Sequence, residues 1–158
     1  MNPPTQTGAP PTAARPKKGS GVTTPSRRGG SGRVLSDVIV DLEFVTRGEM
    51  DEAVERANGN GSSPERLLIG DGTLSELELA RAVAERFGLD HLDLSVYRVD
   101  PDAAKLVTAS AVKRYQAVPV SFSSERTLLV AMVDPANVLA VDDIAVMTGY
   151  EVRPAVAS

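Results

Sequence analysis

Large apolar side chains are almost missing before Arg33 and then recur at helical spacing. Val34, Leu35, Val38, Ile39 and Leu42 fall on one helix face. Thr46 follows as an N-cap, and Glu49 at the third position after it completes a capping box, in which each side chain satisfies the other residue's backbone N–H. Met50, Ala53, Val54 and Ala57 carry the apolar stripe along a second helix, and the polar stretch from Asn58 to Ser63 reads as a loop.

The same grammar then returns at a constant offset, the one that carries Thr46 onto Ser75. Leu67, Leu68 and Ile69 answer Val38, Ile39 and Val40, and Ser75 with Glu78 answers the first capping box. Leu79, Ala82 and Val83 answer Met50, Ala53 and Val54. This long helix is expected to stop near Phe87, with Gly88 supplying a left-handed C-cap. The repeat predicts two helical hairpins, each burying its stripe against the other.

A different texture begins after Leu94. Asp100-Pro101 predicts a capped short helix running to about Val107, and Thr108 or Ser110 starts another that turns Ala111, Val112 and Tyr115 inward. Val118–Phe122 and Thr127–Val133 read as a β-hairpin. Asp134-Pro135 is expected to repeat the cap-and-proline start. The helix after it is expected to bury Val138, Leu139, Val141, Ile144, Ala145 and Met147, and Tyr150–Val156 to be extended. The predicted fold class is α+β: a helical-repeat unit at 33–94, then a small α/β unit at 95–158 with a short, partly antiparallel sheet.

Composition adds three limits. The stretch 1–32 holds six Pro, six Gly and five cations with no acid; it buries too little to offset its ordering entropy and is expected to be a disordered, solvated basic tail. Against the total of −4, that tail leaves −9 on the rest, an unfavourable balance for nucleic acid, which needs clustered Lys and Arg. Cysteine is absent, excluding disulfides and thiolate chemistry, and neither a secretory signal nor a run long enough to span a bilayer occurs.

The stretches Thr127-Leu-Leu-Val-Ala-Met-Val-Asp-Pro-Ala-Asn137, Ala140-Val-Asp-Asp-Ile144, Thr148-Gly-Tyr-Glu-Val-Arg-Pro154 and Gly88-Leu-Asp-His-Leu-Asp-Leu94 resemble the amino-terminal domain, of the MshEN or T2SSE-N type, of GspE/PilB secretion and pilus-assembly ATPases. The resemblance runs from about Val34 to Ser158. It implies a docking and regulatory domain with no catalytic residues, in the cytoplasm and able to sit peripherally at the inner face of the plasma membrane. Its implied partners are the cytoplasmic domain of an inner-membrane secretion or pilus-assembly protein and, if the chain is a fragment, a motor ATPase domain in cis. No Gly-x-x-x-x-Gly-Lys-[Ser/Thr] phosphate loop occurs in the sequence. A free-standing adaptor of a secretion or signalling pathway is the other organisation the resemblance allows.

Some members of that family bind cyclic di-GMP through tandem motifs that open Arg-Leu-Gly and close on Gln, which makes this the one ligand to weigh; no other cofactor is implied. Aligned on the helix caps, the opening positions hold Val34-Leu35-Ser36 and Ser63-Pro64-Glu65, and the closing ones Ala57 and Arg86. The guanidinium forks and amides suited to phosphate and guanine are thus eroded. Arg33 and Arg66 stand beside the two openings, so Arg33, Leu35, Ser36 and Arg66 form the candidate, degenerate ligand set. The lone His91, between Asp90 and Asp93, reads as a linker histidine touching solvent or a carboxylate rather than a metal ligand, because alternate side chains of an extended segment face opposite ways. Asp134, Asp142 and Asp143 read as a helix cap and an exposed pair rather than an acid–base or magnesium set.

Overall fold

The computed structural model describes residues 20–28, 30 and 32–158. Helices α1 (Leu35–Asp41), α2 (Arg47–Asn60), α3 (Pro64–Gly70) and α4 (Glu76–Phe87) form the two hairpins. Both capping boxes close: Thr46 Oγ1 accepts from the Glu49 amide at 3.2 Å and Ser75 Oγ from the Glu78 amide at 3.1 Å, with each glutamate accepting in return from its cap's amide at 2.9 Å. Packing runs chiefly across the repeat, α1 on α4 and α2 on α3. Ile39 and Leu68, Val45 and Leu74, and Ala53 and Ala82 are equivalent pairs, and all six are buried in one core. The two alanines, at 1% and 0% exposure, leave room for helices to approach closely. Gly88 caps α4 in the left-handed conformation, as its position predicts.

Strands β1 (Val22–Thr23), β2 (His91–Leu92), β3 (Ala117–Ser124), β4 (Thr127–Met132) and β5 (Glu151–Ala157) form one mixed sheet in the order β1-β2-β5-β4-β3. The β3–β4 hairpin is antiparallel and turns at Glu125-Arg126. Pro119, which cannot donate to a ladder, lies in edge strand β3 next to a register irregularity. Between β4 and its parallel neighbour β5 the chain crosses over through α7 (Val138–Thr148). Helices α5 (Pro101–Ala104) and α6 (Ala109–Tyr115) share the α7 core with Leu128, Val130 and Met132, which alternate with residues of the opposite face. Helix α4 packs against β5 through Ala80, Ala84 and Val156.

Five expectations about the elements need correction. The tail is predicted to be free up to Arg33. Most of it lies outside the described residues, but its end docks: Val22 and Thr23 pair antiparallel with Leu92 and His91, and the Asp93 amide donates to the Gly21 carbonyl at 2.7 Å. A strand this short, with one large apolar side chain, carries too little pattern to register as such. Second, the sheet does not begin after residue 95, because β2 pairs parallel with the end of β5. Third, α5 ends at Ala104, well short of Val107.

Fourth, Asp134 does not cap α7. Its Oδ1 accepts from the Ala136 amide at 2.9 Å, forming a local turn, and Asn137 is the cap, accepting from the Ala140 amide at 3.2 Å. Starting the helix there settles the fifth point. Ala140 and Ile144, one turn apart, face the sheet, whereas Val138, Leu139 and Met147 are 63%, 75% and 49% exposed. The helix is apolar almost all round, so its sequence does not mark an inner face.

Candidate functional site

Two places concentrate the polar side chains that binding requires. The first is the pair of motif openings. Leu35 and Ser36 begin α1, and Leu35 packs against the helical core. Arg33, just before α1, is turned onto that helix: its guanidinium pairs with the Asp41 carboxylate and reaches the Asp37 carbonyl at 3.5 Å. Arg66 stands exposed in the first turn of α3, where its amide donates to the Ser63 cap at 3.2 Å. Among the described residues no hydrogen bond or ion pair joins Arg33, Leu35 or Ser36 to Arg66. The fold brings the two openings into one helical layer, at the starts of α1 and α3.

Asn60-Gly61 and Gly70-Asp71-Gly72 close these helices as turns rather than as phosphate loops. Arg56 donates to both Asp71 carboxylate oxygens, at 2.7 and 3.4 Å, spanning α2 and the end of α3. That bond holds the Asp71 pKa below, and the Arg56 pKa above, their ordinary values.

The second place is the junction where the described part of residues 20–30 straps across the end of α4 and β2, which composition alone did not disclose. The Ser26 amide donates to Glu85 at 3.0 and 3.1 Å, and its hydroxyl bonds the same carboxylate. Asp90, buried, receives Arg28 and Arg153 at 3.1 Å each, tying strap, β2 and β5 together. Gly88 is obligatory here: a Cβ on it would lie 2.3 Å from the Gly30 nitrogen and 2.7 Å from the carbonyls of Arg27 and Arg28.

His91 belongs to this junction and corrects the linker reading, for it is only 2% exposed. Burial, helped by the nearby Arg81 charge, pushes its pKa below the ordinary histidine value, and Asp93 opposes that only in part. Burial in the core therefore favours its neutral form. The signal that could have found it is its alternation with Leu92 and Asp90 beside a strand partner at residues 22–23, which is weak.

Of the acids singled out for chemistry, Asp134 and Asp143 have separate structural duties, and Asp143 is half-buried rather than exposed. Asp143 accepts from the Tyr115 hydroxyl at 2.6 Å, which raises the tyrosine pKa, and Asp142 is exposed on α7. Among the described residues no three His, Asp or Glu side chains could hold a metal ion, and no helix is long and apolar enough to cross a membrane.

Known proteins match this geometry. Residues 87–158 match the family model described as the MshEN domain. The chain is 32% identical over 128 residues to the type IV pilus assembly ATPase PilB of Myxococcus xanthus, covering 81% of the chain and 22% of that relative. It is 32% identical over 121 residues to PilB of Thermus thermophilus, with 76% and 14% covered. The chain thus spans less than a quarter of the length of these curated relatives. Among solved structures, MshE with cdg superposes with a TM-score of 0.63 at 28% identity, covering 79% of this chain and 90% of that one. The N-terminal domain of XpsE shares the fold, with a TM-score of 0.51 at 21% identity and coverage of 80% and 90%.

Tandem capped hairpins leaning on a mixed sheet therefore define an amino-terminal domain of the GspE/PilB class of ATPases, separate from the ATPase domain itself. Within that class, residues 87–158 are similar to the MshEN type.

Proposed function

We propose that the chain is a non-catalytic docking and regulatory domain of a bacterial type IV pilus assembly or type II secretion ATPase. It works in the cytoplasm, on the cytoplasmic portion of an inner-membrane assembly protein, and positions the motor by binding. The observation that carries this reading is the outward face of α7. Leu139 and Val146, two turns apart, are 75% and 84% exposed, and Val138 adds to them. Exposed aliphatic side chains gathered on one helix mark an interaction surface more often than an isolated one does. Exposed Asp142 stands between them, so the fitting partner presents an apolar stripe with a basic rim.

The test is Leu139→Glu combined with Val146→Lys, measured against the cytoplasmic domain of the cognate assembly protein. Loss of binding at least tenfold with an unchanged melting temperature supports the reading. Unchanged binding by a folded double variant removes α7 as the docking face.

A second reading, a cyclic di-GMP receptor module, draws on the similarity to MshE with cdg. It competes with the eroded motif openings and with an Arg33 already engaged by Asp41. Calorimetric titration with cyclic di-GMP separates the two: saturable binding abolished by Arg33→Ala or Arg66→Ala favours the receptor, and no heat at tenfold ligand excess favours docking alone.

A further inference from the structure

Beneath the strap, Thr23, Thr24, Pro25, Arg81, Glu85 and His91 enclose most of a cavity of about 20 Å³. Two of these side chains carry a buried polar atom with no hydrogen-bond partner among the described residues: Arg81 Nε and His91 Nε2. Unpaired buried polar atoms cost free energy, and both of these belong to residues that line the cavity. We propose that this cavity is a binding site for a single water molecule, which accepts from Arg81 Nε–H and donates to His91 Nε2.

Size decides the class of ligand. One water needs about 10–15 Å³ of such space, and a phosphate or carboxylate needs several times more. Charge decides the orientation. Arg81 can only donate, so the water offers it a lone pair and turns its hydrogens away, towards the imidazole. The imidazole then presents a bare Nε2 and carries its proton on Nδ1. Arg81 is held for this role from its far side, where its guanidinium carbon stacks 5.2 Å from the centre of the Phe44 ring in the first hairpin. Glu85 also lines the cavity, but its carboxylate is committed to Ser26. The water would therefore join two separate pieces, the last long helix of the repeat and the second strand of the sheet, beneath the strap residues that line the cavity.

The sequence contains one histidine, so its imidazole resonances are unambiguous. Long-range ¹H–¹⁵N correlation at pH 7 is expected to show the Nδ1–H tautomer with an unprotonated Nε2, and a cross-peak from a His91 ring proton to a long-lived water. Arg81→Met is expected to abolish that water cross-peak while the chain still folds. An Nε2–H tautomer, or no water cross-peak in the unaltered protein, would overturn the proposal. The unaltered protein decides the matter by itself, so a variant that fails to fold changes nothing.

Discussion

Glu43 and Gly72 occupy equivalent turns of the two hairpins, and both are left-handed, with φ of 60° and 77°. Only glycine adopts that region without steric cost, so the first hairpin carries strain that the second avoids. Glu43→Gly is expected to stabilise the protein by about 1 kcal/mol, read as a higher urea midpoint at unchanged slope. His91 makes the opposite kind of statement. Its pKa is lowered in the fold, so the unfolded chain binds a proton that the native one refuses. The stability this neutral state contributes is complete above the ordinary histidine value near 6.5 and falls as pH drops below it, by at most about 1.4 kcal/mol per pH unit for one proton. Denaturation at pH 7.5, 6.5 and 5.5 should show this slope in the unaltered chain and a flatter one in His91→Gln; equal slopes would mean that His91 is not the group responsible.

At the scale of elements, the strap depends on one glycine. Gly88 combines a φ of +69° with backbone atoms 2.3 to 2.7 Å from where a Cβ would stand, and backbone cannot yield as a flexible side chain does. Gly88→Ala is expected to lose about 1–3 kcal/mol and to release the strap, seen as faster hydrogen exchange at the Ser26 and Asp93 amides. If those amides stay protected, the strap is held by other means. The hairpins, by contrast, are legible from sequence because each announces itself twice, by a capping box and by an apolar stripe in register with it. The β3–β4 hairpin is legible from its β-branched runs. The inner face of α7 is not, since Val138 to Met147 offers apolar residues in every direction. Its true start is masked by an Asp-Pro pair that serves a turn. The candidate ligand set is legible as positions, and in the fold Arg33 lies against carboxylate and carbonyl oxygens of the adjoining helix.

Over the whole molecule, the helical repeat and the sheet are joined by more than a linker. Helix α4 packs on β2 and β5, Asp90 gathers arginines from the strap and from β5, and the strap closes over the seam. The account as a whole stands on recognition without chemistry. Its most direct test is a calorimetric titration of this chain with the purified cytoplasmic domain of its cognate inner-membrane assembly protein, with ATP present and phosphate release followed in the same sample. The account predicts saturable heat of binding and no phosphate released. Absence of binding, or ATP consumed by the isolated chain, would contradict it.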